Sequence, residues 1–348
     1  MRQLKRGLVV GKFAPLHLGH EALIEFALQH CEQVLVLSYT SQNFLSCTPA
    51  QRRAWFAARY GTEVRIRSCV LDASELSSWP DFPLDLPDDG APAEVQREFC
   101  WQVLRRLGFM PDGVFSSEDY GAGFAAYLSH AAAQPVVHCP FDLERQQHSV
   151  SATQIRRGLL PAAVWLSPAV AASYQVLGKI ALLGAESTGK TTLSRILAEH
   201  LGMPCVAEYG RQRWEERQGQ LAFSDLLQIA RTQIAHEEAA LAQAREGIIC
   251  DTTPLTTLFY SQALFGHADP ALSALAERPY QHLFLLSPDF PLVQDGTRQD
   301  EAFRQAQHRW YLAELAQRQL SYQLISGPLE QRIQTILQAV GISPESIK

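Results

Sequence analysis

Two apolar runs in this chain each end in a phosphate-type loop, and that pairing leaves the fold little freedom. Gly7, Leu8, Val9 and Val10 lead into G-K-F-A-P-L-H-L-G-H at Gly11–His20. Ile180, Ala181, Leu182 and Leu183 lead into G-A-E-S-T-G-K-T-T at Gly184–Thr192. In both cases a strand turns into a helix, where free backbone N–H groups and the helix dipole favour anions. The two loops suit different chemistry: attack at the α-phosphate of a nucleotide for the first, transfer of a γ-phosphoryl group for the second. The chain is therefore predicted to be an α/β protein with two sheets and two consecutive ATP-dependent steps.

A length of 348 residues fits two domains of about 170 residues each. The expected domains are residues 1–168 and 169–348, with the boundary region near 165–177. In the first half, Leu8–Val10, Val34–Ser38, Val64–Cys69, Gly113–Ser116 and Pro135–His138 read as strands and Glu21–His30 as a helix. Ser77–Pro92 is dense in proline and aspartate and reads as a loop. Glu94–Leu107 reads as an amphipathic helix with Val95, Phe99, Val103 and Leu107 on one face. In the second half, Lys179–Leu183, Ile248–Cys250, His282–Leu286 and Tyr322–Ser326 read as strands. Thr192–Leu201 reads as a helix, and Phe223–Gly247 as one long helix stopped by Gly247. Strands alternating with helices argue for parallel sheets covered on both faces.

Composition narrows the function. A net charge of −6 argues against nucleic acid as a partner. The seven cysteines are scattered with no C-x-x-C pair, the pattern of reduced thiols in a cytosol rather than a metal site or disulfide framework. Gly158–Gly178 lacks charged residues but contains Pro161, Pro168, Ser167, Ser173 and Gln175. It reads as a linker, with no membrane insertion expected. A cytoplasmic protein is predicted, and the sequence leaves a homo-oligomer open.

In the first loop, Gly11, Lys12 and Phe13 open the phosphate approach, and His17 and His20 lie three apart, so both imidazoles can face one triphosphate. As hydrogen-bond donors or as cations they would steady charge on a bridging oxygen as pyrophosphate leaves. Ser149–Arg157 reads S-V-S-A-T-Q-I-R-R. There Thr153 at a helix start and Arg156 one turn on can converge on phosphate oxygens. These segments resemble the nucleotidyltransferase superfamily with an H-x-G-H loop and an (I/V)-S-x-T-x-x-R helix. The resemblance implies direct attack of an acceptor phosphate on the α-phosphorus of ATP, with Mg²⁺ held mainly by substrate and water.

Gly184–Thr191 fits G-x-x-x-x-G-K-[ST]. Backbone amides across Glu186, Ser187, Thr188, Gly189 and Thr192 would cradle phosphates. Lys190 would reach the β- and γ-phosphates, and the Thr191 hydroxyl would serve Mg²⁺. Three features point to a kinase. Glu208, Tyr209 and Arg211 lie in E-Y-G-R, where small-molecule kinases place acceptor groups. Asp251 ends a strand as a Walker-B carboxylate does, making it a second metal candidate. Asp295, Arg298 and Arg304 lie in V-Q-D-G-T-R-Q-D-E-A-F-R, a segment suited to a lid whose arginines meet the transferring phosphoryl group. Either Glu208 or Asp251 could accept the hydroxyl proton.

Together the segments, with S-S-E-D-Y-G at Ser116–Gly121, A-E-Y-G-R at Ala207–Arg211 and D-G-T-R at Asp295–Arg298, resemble the NadR-type bifunctional family. That resemblance implies an N-terminal Rossmann-like nucleotidyltransferase sheet and a C-terminal P-loop kinase sheet. It further implies phosphorylation of nicotinamide riboside to the mononucleotide NMN, then adenylyl transfer from ATP giving NAD and pyrophosphate. Relatives often begin with a helix-turn-helix repressor domain, whereas this chain starts at the catalytic strand, so no operator binding is expected. Relatives tend to carry a second aspartate where Thr253 stands. Trp79 could stack on a nicotinamide ring, although tryptophans commonly pin loops to a core. Two other readings compete: a phosphopantetheine adenylyltransferase joined to a dephospho-CoA kinase, and a nucleotide-binding regulator without turnover.

Overall fold

A computed structural model of the protein describes residues 4–292 and 299–342. They form two compact units. One takes the chain up to Ile155 together with Leu160–Tyr174; the other takes Arg156–Leu159 and the chain from Gln175 onward.

The first unit is built on a five-stranded parallel sheet of β1 (Leu4–Gly11), β2 (Cys31–Ser38), β3 (Ile66–Val70), β4 (Gly113–Ser116) and β5 (Val137–Pro140), in the order β3-β2-β1-β4-β5. Leu8, Leu35 and Leu37 from the central strands meet Phe99, Val103 and Leu128 from the covering helices in one apolar core. Reversal of strand order beside β1 opens a crevice at the carboxyl ends of β1 and β4, where α/β sheets bind ligands. The first phosphate loop leaves β1 at that point.

The second sheet comprises β6 (Gly178–Gly184), β7 (Cys205–Val206), β8 (Gly247–Cys250), β9 (His282–Leu286) and β10 (Gln323–Ile325), also parallel and ordered β10-β9-β6-β8-β7. Central β6 is flanked by β8 and β9, so the second phosphate loop lies between the segments that follow those two strands.

Local differences from the sequence expectations have physical causes. The long helix ends at Gln243, not at Gly247, which belongs to β8. A Cβ on Gly247 would run into the backbone of Gly178 across the sheet, so close strand packing, not helix termination, calls for glycine. In Ala93–Leu107 the buried stripe is Phe99, Cys100, Val103 and Leu104, while Val95 is exposed; the apolar face is rotated from the expected one. A helix at Pro49–Tyr60 has a Thr48 cap and a reciprocal bond from Gln51, a pairing that contributes about 1 kcal/mol. The first unit reaches Tyr174, where Trp55 Nε1 donates to Ser173 Oγ at 2.9 Å and the indole ring meets Tyr174 edge-on. Among the described residues, no helix is long and apolar enough to cross a membrane.

Candidate active sites

In the first unit the H-x-G-H loop shapes its own donors. His17 caps the helix Leu18–His30. The His20 N–H donates to His17 Nδ1 at 3.3 Å, and the His17 N–H donates to His20 Nδ1 at 3.4 Å. With Nδ1 accepting in both residues, the neutral form of either ring has its proton on Nε2. The rings stack with centroids 3.6 Å apart, so the two Nε2–H donors form a pair. Burial, then the neighbouring His20, Arg145 and His148, holds the His17 pKa far below its usual value. The lowered pKa favours the neutral form of His17, the form that serves as a hydrogen-bond donor rather than as a cation. Phe13 supports the pair from below, edge-on to His20 at 4.9 Å and to Phe56 at 5.2 Å. Packing is close at Gly19, where a Cβ would press on Val150, His148 and His17 side chains at 3.1–3.3 Å.

The depressed His17 pKa has a consequence for stability. An unfolded histidine takes up a proton near 6.5, whereas folded His17 does not, so the unfolded state binds more protons as pH falls. His138, His282 and His308 are shifted the same way by burial. The thermal midpoint is expected to drop between about pH 7 and about pH 5. A melting series by circular dichroism checks this, and a midpoint that rises on acidification contradicts it.

Lys12 Nζ pairs with Asp89 Oδ2 at 2.7 Å, which fastens the acidic loop to the phosphate loop. Although Asp89 is partly buried, bonds from Lys12 and Thr40 hold its carboxyl below the usual range. Arg52, which the sequence did not single out, is buried and donates to the Lys12 carbonyl at 3.2 Å and to Ser38 Oγ at 2.8 Å. Tyr120 OH donates to the Val10 carbonyl at 3.0 Å, which brings S-S-E-D-Y-G to the same crevice. Trp79 lies edge-on to Phe82, which in turn meets Phe99, the geometry of a loop anchor. Thr153 lies in the short helix Ala152–Arg156. Arg156 starts the stretch that belongs to the second unit, where its Nε donates to the Arg245 carbonyl at 3.2 Å.

In the second unit Lys190 begins the helix Lys190–Leu201, immediately after Gly189. Gly189 has φ +84°, a conformation that glycine adopts without strain. Lys190 Nζ lies over the loop, donating to the Gly184 and Ala185 carbonyls at 2.8 and 3.0 Å. Asp251 accepts from the Thr191 hydroxyl and is buried, and its Oδ1 has no hydrogen-bond partner. That donor set, one carboxylate oxygen without a bond and one hydroxyl at a phosphate loop, fits Mg²⁺. Burial raises the Asp251 pKa, offset by Thr191 and Lys190.

A cavity of about 260 Å³ adjoins the loop. Trp214, Leu221, Leu226, Ile229 and Leu264 give it an apolar side, and Glu208 and Arg211 stand at its polar side. Burial and nearby Asp251 raise the Glu208 pKa against Lys190 and Arg211. Tyr209 points elsewhere in part: its ring meets His236 edge-on and its N–H donates to Gln233. Glu186 turns from the phosphate side to the cavity, accepting from Tyr260 OH at 2.9 Å and from the Gln299 N–H at 2.8 Å, while its own N–H donates to Gln307. Thr253 caps the helix Pro254–Phe265 by accepting from the Leu255 N–H, a task an aspartate performs equally well. Arg304 is buried, ion-paired with Glu301 and bonded to the Ser187 carbonyl. Asp295 and Arg298 lie outside the described residues.

Trp214, Tyr260 and Gln307 were not apparent from the sequence. They lie in three separate helices far apart in sequence, and only the fold brings them to the loop.

Residues 179–332 match the family model described as an AAA domain. The chain is homologous to the trifunctional NAD biosynthesis/regulator protein NadR. It is 26% identical to the Salmonella typhimurium protein over 85% of this chain and 72% of that one. With the Escherichia coli protein it shares 26% identity over 84% and 71% of the respective chains. Among solved structures, a NadR protein in complex with NAD and AMP-PNP aligns with a TM-score of 0.43 at 19% identity over 99% of this chain and 98% of that one. A deoxyadenosine kinase from M. mycoides with bound dATP aligns over 47% of this chain and 98% of its own, with 16% identity and a TM-score of 0.34.

Proposed function

We propose, from the homology to the NadR proteins and the two sites above, that this chain makes NAD from nicotinamide riboside in two ATP-dependent steps. The observation that carries the reading is the pair of phosphate loops on separate sheets, one with a two-imidazole pair and one opening into a cavity also lined by Glu208, Arg211 and Trp214.

In the kinase step the riboside occupies the cavity. Trp214 and its aliphatic neighbours cover the pyridine ring, and Arg211 and Glu208 meet the ribose end. The 5′-hydroxyl oxygen attacks the γ-phosphorus of ATP, the bond to the β-phosphate oxygen breaks, and ADP leaves. Glu208 takes the hydroxyl proton, because it lines the cavity whereas Asp251 is engaged by Thr191. Its raised pKa makes it a stronger base. Lys190 leaves the loop carbonyls for the β- and γ-phosphates. Thr191 and Asp251 would hold Mg²⁺, which neutralises phosphate charge when bound.

In the adenylyl step the NMN phosphate attacks the α-phosphorus of a second ATP, and pyrophosphate leaves. The Nε2–H donors of His17 and His20 stabilise the charge on the departing group without a proton transfer. Lys12 adds a cation once it exchanges Asp89 for phosphate. Seven scattered cysteines with no C-x-x-C pair support placement in the cytoplasm.

Two experiments bear on this. Purified protein with MgATP is expected to consume nicotinamide riboside and leave dephospho-CoA untouched; consumption of dephospho-CoA instead overturns the substrate assignment. Glu208→Gln is expected to lower kcat for riboside phosphorylation about 10²- to 10⁴-fold. In the wild type the acid limb of that activity should lie above pH 4.5, the ordinary glutamate value, because the base must be deprotonated. A pH–rate profile reads both effects, and a variant with an unchanged kcat removes Glu208 as the base.

A further inference from the structure

Two buried arginines, Arg304 in the helix Glu301–Gln317 and Arg332 in the helix Leu329–Ala339, end on the second phosphate loop from outside it. Each is about 1% exposed, and neither lines the cavity. Arg304 Nη2 donates to the Ser187 carbonyl at 3.4 Å, and Arg332 Nη1 donates to the next carbonyl, that of Thr188, at 3.1 Å.

The rest of the Arg332 guanidinium is fully engaged. Nε donates to the Gly327 carbonyl at 2.7 Å, Nη2 to the Ser287 carbonyl at 3.0 Å, and Nη2 also pairs with Asp289. Asp289 in turn accepts from the Gly327 N–H at 2.7 Å, and Phe290 lies 4.3 Å under the guanidinium. One side chain thus joins the phosphate loop to the segments after β9 and β10.

A trans peptide is planar, so its N–H points opposite to its carbonyl. Drawing the Ser187 and Thr188 carbonyls outward onto the arginines turns the Thr188 and Gly189 N–H groups inward, toward the phosphates. We propose that Arg304 and Arg332 are positioning residues, a two-arginine brace that presets the amide donors of the phosphate loop before ATP arrives. The brace rests on the kinase reading above. Preset donors need no reorientation when the nucleotide binds, so their effect falls on ATP affinity rather than on chemistry or on riboside binding.

The test is steady-state kinetics of riboside phosphorylation by the full chain carrying Arg332→Met, Arg332→Lys or Arg304→Met, with inhibition by ADP measured alongside. Arg332→Met is expected to raise the KM for ATP and the inhibition constant of ADP about 10-fold, with kcat changed less and the KM for riboside unmoved. Arg332→Lys, which keeps the charge but not the fork, should recover part of the loss. Arg304→Met should show the same split with a smaller shift. An unchanged KM for ATP in folded variants overturns the brace, as does an equal loss for ATP and riboside. Should the methionine variant fail to fold, Arg332→Lys decides alone by the same two outcomes. A wild-type protein that does not phosphorylate riboside defeats the kinase reading instead, which keeps the two failures apart.

Discussion

Lys190→Ala is expected to abolish riboside phosphorylation while leaving NAD synthesis from added NMN at its wild-type rate. The ammonium rests on the Gly184 and Ala185 carbonyls, one short movement from where phosphate oxygens would lie. Alanine removes the cation that meets charge on the transferring group and offers no substitute. The loss should be about 10³-fold or more in kcat. Because the helix begins at Lys190 and Gly189 supplies the turn before it, alanine keeps the local backbone and the change is confined to charge. Separate assays of NMN formation from riboside and NAD formation from NMN read the result. Loss of both reactions in a folded protein contradicts the two-site account.

His20→Ala is expected to do the reverse, with NMN accumulating from riboside and little NAD appearing. Two effects combine. One Nε2–H donor is lost from the stacked pair, and the His17 N–H loses its acceptor in the cap. Removal of one such donor costs about 10²- to 10³-fold in rate, while a lost cap interaction costs about 1 kcal/mol of stability. The rate effect therefore dominates what is measured. If His17 acts as a neutral donor, the form its lowered pKa favours, His17→Gln should retain more activity than His17→Ala, as an amide N–H can replace an imidazole N–H in kind.

How far the sequence carried this account differs by residue. The two loops were legible because an apolar run, a glycine-rich turn and a helix start occur in order, and few folds satisfy all three. Lys190, Thr191 and Asp251 followed from that context, and the structure brings the last two together. Tautomer and charge at His17 were not legible, since they depend on which backbone N–H each ring accepts and on burial. Arg52 and Arg332 were missed, and Arg304 was expected in a lid rather than buried against the loop, for a different reason. An arginine in an amphipathic helix looks the same in sequence whether it meets water or a buried carbonyl, and only tertiary packing distinguishes them. Glu186 shows another limit of motif reading: the loop pattern speaks for its backbone amide and is silent on its carboxylate, which accepts from Tyr260 OH and the Gln299 N–H.

The central claim is an ordered pair of reactions, with the second loop making the phosphate that the first site adenylates. Following NMN, NAD, ADP and pyrophosphate over time from nicotinamide riboside and excess MgATP tests it most directly. The account predicts NMN and ADP first, NAD and pyrophosphate after a lag, and one ADP and one pyrophosphate released per NAD at completion. Measurable binding of ATP and riboside with none of the four products formed would contradict it.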